Sequence, residues 1–245
     1  MMRIAVIGAG AIGGNLARKL SAAGHDVEVA VARGPEAVPG DVLEFGARAA
    51  TPAAAVQDKD VIILSIPFGK VPELADLLAS VPGETVVIDT SNYYPHLNRH
   101  IEAVDDGQVE SLWVTELLGR PVVTAWNAAL AGTQQTKGVP AGTPGRIAIP
   151  VAADSDEARR VAMRLVDDTG FDPFDAGALA DSWRQQPGTP AYCTELTLED
   201  LGPALAASDR AEAPRTRDRL MERFAALTST PTLEEVVEIN RSAHR

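Results

Sequence analysis

The stretch Gly8-Ala9-Gly10-Ala11-Ile12-Gly13, with Gly14 behind it, constrains this chain more than any other. It follows the apolar run Ile4–Ile7 and precedes residues 11–23, whose apolar positions recur at helical spacing until Gly24 stops them. A bare G-x-G-x-x-G is a weak signal. One that ends a strand and opens a helix at the start of a βαβ unit reads as a dinucleotide-binding fingerprint. Gly8 permits the tight turn, Gly10 lets the backbone approach a pyrophosphate, and Gly13 lets helix and strand pack closely. The helix start at Ala11 and Ile12 then offers free N–H groups and a partial positive charge to the phosphates.

The rest of the chain repeats the same alternation. VEVAVA (27–32) reads as a second strand, and residues 35–45 as a helix or a loop. Residues 47–50 form a weak strand and DVIILSIP (60–67) a strong one. A helix is expected over 71–79, and ETVVIDTS (84–91) is a further strand. Strands alternating with helices imply a parallel, doubly wound sheet. Beyond Asn92 the pattern loosens into a loop and a partial helix. A strand is expected over 119–126, and a mobile or cofactor-facing loop over the Gly-, Pro- and Thr-bearing 131–145. Another strand follows over 146–153, a helix over 156–168, and a short strand and turn over 171–177. From Ala178 the chain reads as helical and polar. Thr232 and Glu235 have the spacing of a capping box for a last helix. The fold class is therefore α/β, a Rossmann, doubly wound, mostly parallel sheet with a small helical C-terminal part. Residues 1–153 are expected to form the nucleotide-binding domain, and residues 154–245 a mainly helical substrate and dimerisation region.

Which dinucleotide binds is decided where the second strand ends. An NAD site usually places an acid there to hold the ribose hydroxyls. Here Val31, Ala32 and Arg33 stand at the strand end, and Glu28 lies earlier, inside the strand. Arg33 can pair with a 2′-phosphate and Gly34 leaves space for it, so NADP(H) is expected.

Composition removes several function classes. A formal net charge of −12 argues against nucleic acid, whose phosphates call for a basic face. The single cysteine, Cys193, leaves no disulfide framework and no multi-cysteine metal site. His96 and His100 are one turn apart but lack further ligands, so no metal is expected. No apolar run reaches the ~18 residues a membrane span needs, and the apolar N-terminus leads straight into the glycine motif. The expected location is cytoplasmic.

With these segments read, the chain resembles the coenzyme F420-dependent NADP oxidoreductase family, which also contains the reductase domains of the STEAP metalloreductases. The resemblance runs from Arg3 to about Cys193. It rests on RIAVIGAGAIGG, ARGPE (32–36), VIILSIPF (61–68), VVIDTSNYY (86–94), PVVTAWN (121–127) and the long segment 149–183. It implies a Rossmann domain, a small dimerising C-terminal part and hence a homodimer. It also implies hydride transfer between NADPH and a second cofactor or substrate. Carried over, Arg33 meets the 2′-phosphate, and Ser65, Ile66 and Pro67 line the ribose and nicotinamide. Asn92 closes that site, and Asn127 lies near the reacting rings as the candidate catalytic residue. The chain departs from F420-reducing members at Asn127, where they can carry histidine, and at Ala129, where they carry a larger apolar residue.

No familiar acid–base set appears in the spacing. Tyr93, Tyr94 and Tyr192 lack a lysine four places on, and Lys137 lacks a following Asn at that distance. Hydride transfer between two stacked rings needs alignment and dryness more than proton transfer, which fits F420 or a flavin as the partner. Trp183 could stack on such a ring and Arg184 hold an acidic tail, or both could anchor a dimer contact. Lys137 offers a phosphate or substrate contact. Two alternatives stay open: an NADPH reductase of a small imine or carbonyl compound, and a redox sensor that binds NADP(H) without turnover.

Overall fold

The period-2 pattern of the first strands sends alternate residues to opposite faces, and both faces are covered. In a computed structural model that describes residues 1–98 and 100–245, Ile4 and Val6 of β1 (Arg3–Ile7) join one core layer while Ala5 and Ile7 join the other. The further strands are β2 (Asp26–Ala30), β3 (Arg48–Ala50), β4 (Val61–Leu64), β5 (Val86–Asp89), β6 (Val123–Thr124), β7 (Ala148–Val151) and β8 (Asp172–Asp175). The first six pair in parallel in the order β3-β2-β1-β4-β5-β6. This is the doubly wound Rossmann order, and its direction reverses between β1 and β4.

The helices are α1 (Ala11–Ala22), α2 (Pro52–Ala55), α3 (Ala75–Ala79), α4 (Pro95–Asn98), α5 (Glu102–Asp105), α6 (Glu110–Leu118), α7 (Ala131–Thr136), α8 (Asp156–Asp168), α9 (Leu198–Ala206), α10 (Ala213–Ala225) and α11 (Leu233–Ser242). Helices α1 and α8 cover one face, around Leu16, Leu20, Leu165 and the fully buried Trp126. Helix α6 and a 3-10 stretch at Phe68–Leu74 cover the other, around Phe68, Val71, Val114 and Leu118. Among the described residues, no helix is long and apolar enough to cross a membrane.

Strands β7 and β8 form a separate parallel pair, tied to β6 by one antiparallel bridge between Thr124 and Ala152. The division expected at 153 thus falls between two paired strands. Buried Arg146 fastens this corner through Asp167 at 2.7 Å and Asp172 at 2.8 Å.

Local structure departs from the sequence reading in several places; the strand expected over 119–126 keeps only the two residues of β6, and α2 was not anticipated. The expected helix over 71–79 is instead a 3-10 stretch, Phe68–Leu74, with Pro72 inside it, followed by the short α3. The expected loop over 131–145 begins as α7. Thr133 and Gln134 there are buried, and Asn15 of α1 donates to the Ala131 carbonyl at 2.9 Å, so packing outweighs weak propensity. Helix α6 was not anticipated, although the left-handed Gly119 (φ +63°) closes it in the usual way. Elsewhere agreement is close. Helix α8 has the expected bounds, and Thr232 and Glu235 make both bonds of the capping box at the start of α11.

Candidate active site

The carboxyl ends of β1 and β4 meet at the point where strand order reverses, and the glycine loop sits there. The three motif glycines are separated by what surrounds them. A Cβ on Gly8 (φ +108°) would lie 2.1 Å from the Ser65 carbonyl oxygen, and one on Gly13 would lie 2.0 Å from the Gly8 carbonyl oxygen. Both positions demand glycine because backbone presses on backbone. A Cβ on Gly10 would meet nothing within 4 Å. Packing therefore does not require glycine at Gly10, and the space above it is open. Gly10 also caps α1 with no side chain, so the first amides of a twelve-residue helix face outward. Ala11 is exposed and Ile12 half-buried at that end.

Beside this loop, the Ser65 amide donates to Ile7 O at 2.8 Å and locks the β4 end to the β1 end. Ile66 is half-buried and Pro67 exposed. At the end of β2, Arg33 is exposed and makes no ion pair among the described residues. Glu28 is unavailable to a ribose, because it pairs with Arg48 at 3.2 Å and Lys59 at 3.1 Å. One acid was missed here. Glu36 folds its carboxylate over Gly34, with Oε1 2.5 Å from where a Cβ would stand.

Asn92 and Asn127 come together although 35 residues separate them. Asn92 Nδ2 donates to the Asn127 carbonyl at 2.9 Å, and Asn127 Nδ2 donates to Asn92 Oδ1 at 3.2 Å. Asn127 also donates to the Gln185 carbonyl at 3.0 Å and accepts from Gln185 Nε2 at 2.9 Å. Both amide ends of the buried Asn127 are therefore engaged, and its side chain orients Asn92. Backbone strain gathers nearby: Trp126, Cys193 and Glu195 all hold positive φ (60°, 57° and 51°) without being glycine.

Lys137, Trp183 and Arg184 are each engaged with other side chains. Lys137 ends α7 and pairs with Glu195 at 2.8 Å. Trp183 stacks under Arg184 (4.7 Å to the ring centre) and Arg210 (5.9 Å), and Arg184 pairs with Asp181.

The structure also assembles proton-bearing groups that no sequence spacing revealed. The Tyr94 hydroxyl donates to the Tyr192 hydroxyl at 2.9 Å across 98 residues of sequence. Burial holds both phenols above their usual range. Asp89, at the end of β5, is pushed by burial up to about 6, opposed by hydrogen bonds from Ser91. Glu110 accepts from the Tyr93 amide at 3.0 Å, and burial pushes its carboxyl up to about 8. Burial likewise pushes the Cys193 thiol up to about 12, so it stays protonated and a poor nucleophile. Asp89 alone carried a local signal, its place at the carboxyl end of β5.

A cavity of about 570 Å³ lies elsewhere. It is lined by Met2, Arg3, Asp60, Thr85 and Pro121, at the amino ends of the strands. Open α/β sheets bind ligands outside the carboxyl ends, so it is not the nucleotide site.

Comparison with known proteins agrees with this fold. The family model described as NADP oxidoreductase coenzyme F420-dependent matches residues 3–93. The Escherichia coli (strain K12) protein YjhV is 41% identical over 104 residues, which span 42% of this chain and 76% of that protein. The crystal structure of the Sinorhizobium meliloti protein SMa0349 is 31% identical with a TM-score of 0.68, covering 80% of this chain and 96% of that one. A structure from Arthrobacter sp. FB24, assigned as an F420-dependent NADP reductase, has a TM-score of 0.60 over 94% of this chain and 96% of its own. At 17% identity, that likeness shows the fold alone.

Proposed function

The chain belongs to the coenzyme F420-dependent NADP oxidoreductase family and is an NAD(P)-dependent oxidoreductase; on that premise we propose that it moves a hydride between NADPH and a flat ring acceptor, coenzyme F420 or a flavin. The observation that carries this reading is the contrast among the glycines. Gly8 and Gly13 are glycine because the fold needs them, whereas open space above Gly10 is what a pyrophosphate needs. The exposed Arg33, without an ion pair among the described residues, and the engaged Glu28 favour a 2′-phosphate over ribose hydroxyls.

In this reading the α1 amides hold the pyrophosphate and Arg33 holds the 2′-phosphate. Ser65, Ile66 and Pro67 line the ribose and nicotinamide, and Asn92, fixed by Asn127, closes the ring's end of the pocket. When bound, NADPH supplies the hydride. The chain contributes alignment and exclusion of water, the two factors ring-to-ring transfer needs most. Lys137, Trp183 and Arg184 belong to an outer substrate region in the same proposal.

A second reading is favoured by the Tyr94–Tyr192 hydroxyl pair. Reduction of a small imine or carbonyl needs a proton as well as a hydride. Cys193 N donates to the Ala128 carbonyl at 2.9 Å, so Tyr192, one residue earlier, stands beside the Asn127 segment and can deliver that proton.

Titration with NADPH and NADH, followed by F420 absorbance, separates the readings. F420 reduction by NADPH supports ring transfer. NADPH binding without F420 turnover, but with imine or carbonyl reduction that falls about 100-fold in Tyr192→Phe, supports the second. Binding with no hydride loss to any acceptor makes the chain a redox sensor.

A further inference from the structure

Two asparagines past the carboxyl ends of β5 and β6 answer to a glutamine far from both in sequence. Thr90 donates its amide to the Leu64 carbonyl at 3.1 Å, which ties the segment entering Asn92 to the end of β4. Ala125 donates to the Asp89 carbonyl at 3.3 Å, which ties the segment entering Asn127 to the end of β5. Gln185 closes a 3-10 stretch, Leu179–Gln185, in the C-terminal part of the chain. That stretch is fastened at two points. Ser182 Oγ lies 2.7 Å from Ser111 Oγ of α6, and the Leu179 amide donates to Asp154 at 2.9 Å.

A side-chain amide can be seated either way round, and its partners decide which. Gln185 holds both ends of the buried Asn127. Its main-chain carbonyl accepts from Asn127 Nδ2 at 3.0 Å, and its Nε2 donates to Asn127 Oδ1 at 2.9 Å. Turning Asn127 over would set oxygen against oxygen and N–H against N–H. With Asn127 fixed, its Nδ2 also donates to Asn92 Oδ1 at 3.2 Å, and its main-chain carbonyl accepts from Asn92 Nδ2 at 2.9 Å. Asn92 is thereby seated one way round as well. Its second amide N–H has no acceptor among the described residues, and Asn92 is only half-buried.

We propose that Gln185 is a positioning residue for the nicotinamide end of the site: by setting which way round Asn127 sits, it makes Asn92 present an N–H to the carboxamide oxygen of the nicotinamide. The proposal rests on the NADP(H) reading above and holds for any hydride acceptor. Fully buried, Gln185 acts only through the two asparagines. Its replacement should alter recognition of one ring substituent and leave the phosphate end of the cofactor alone.

The test is a calorimetric titration of the whole chain with three ligands. They are NADP+, its 3-acetylpyridine analogue, which keeps the carbonyl oxygen but lacks the amide N–H groups, and 2′-phospho-ADP-ribose, which lacks the ring. Wild type should bind the first two alike and the third more weakly. Gln185→Glu is nearly isosteric. Burial keeps its carboxyl neutral at pH 6, where it can donate to Asn127 Oδ1 as glutamine does; ionised at pH 9, it cannot. Relative to wild type at each pH, both ring-bearing ligands should bind this variant normally at pH 6 and about tenfold more weakly at pH 9, with 2′-phospho-ADP-ribose unchanged. A merely structural role would move all three ligands together. Each variant is melted first. Gln185→Leu at pH 7 should weaken the two ring-bearing ligands only, and carries the test if Gln185→Glu does not fold. A wild-type chain that binds none of the three overturns the cofactor reading and the proposal with it. With that binding intact, two results overturn the proposal alone: an unchanged ratio of NADP+ to 2′-phospho-ADP-ribose affinity in a folded Gln185→Leu, or an acetylpyridine analogue that wild type binds far more weakly than NADP+.

Discussion

Asn92 and Asn127 hold each other by two reciprocal bonds, one of 2.9 Å to the Asn127 carbonyl and one of 3.2 Å between their side chains. Gln185 completes the set, and the trio joins the ends of β5 and β6 to the turn before Pro187. Asn127→Ala leaves buried Gln185 Nε2 only its long 3.5 Å bond to the Pro150 carbonyl and takes the donor from the Gln185 carbonyl. It should destabilise the fold by about 1–3 kcal/mol, at about 2–4 °C of melting temperature per kcal/mol. A thermal melt checks this. An unchanged melt with lost turnover would make Asn127 a direct participant in the chemistry.

Gly10 and Gly13 should behave oppositely when replaced by alanine. Gly13→Ala forces a methyl to 2.0 Å from the Gly8 carbonyl oxygen and should lower both stability and nucleotide affinity. Gly10→Ala meets nothing within 4 Å, so its melting point should stay put. Its methyl would stand where the pyrophosphate approaches, and NADPH affinity should fall on the order of tenfold, about 1.4 kcal/mol. Melting and titration of both variants decide it. Equal loss of stability in the two would refute the open cradle.

Arg33 and Glu36 bracket Gly34 with opposite charges. Arg33→Ala should weaken NADPH by about 1.5–3 kcal/mol, the range for hydrogen bonds to a charged group, and barely touch NADH. Glu36→Gln should do the reverse and tighten NADPH, because the carboxylate lying over Gly34 repels a phosphate. Equal loss for both nucleotides in Arg33→Ala would end the 2′-phosphate role.

Glu110 should make stability fall as pH rises. Its folded pKa, about 8, lies above the 4.5 of an unperturbed glutamate, so the folded state binds its proton more tightly than the unfolded state. Stability from this group is full below about pH 4.5 and is lost as pH climbs toward 8. Asp89 adds the same trend between 3.8 and about 6. Glu110→Gln keeps an acceptor for the Tyr93 amide and cannot ionise, so its melting temperature should change less between pH 6 and 8. Melting curves across that range check it, and an unaltered slope would place the titration elsewhere.

The glycine loop was legible because its chemistry is local. Strand, turn and helix lie within residues 3–22, and Gly8 and Gly13 answer contacts with a near neighbour or the adjoining strand while Gly10 faces open space. Helix α8 and the capping box of α11 were legible for the same reason, since their apolar stripe and cap are written in adjacent residues. Helix α7 was not. Its sequence AGTQQT has weak propensity, and it is helical because Gln134 donates to the Trp126 and Ala129 carbonyls and Asn15 reaches Ala131.

The site divides along the same line. By itself the sequence determined the fold class, the position of the glycine loop and the arginine just past β2, because each depends on short spacing and residue type. Only the tertiary structure decided that Asn127 is tied to Asn92 and Gln185 and that Tyr94 meets Tyr192. It also decided that Glu110 is buried among Tyr93, Arg217 and Asp89. Those pairings join residues tens of positions apart, and burial, which sets their protonation, arises only when the sheet and its covering helices close over them.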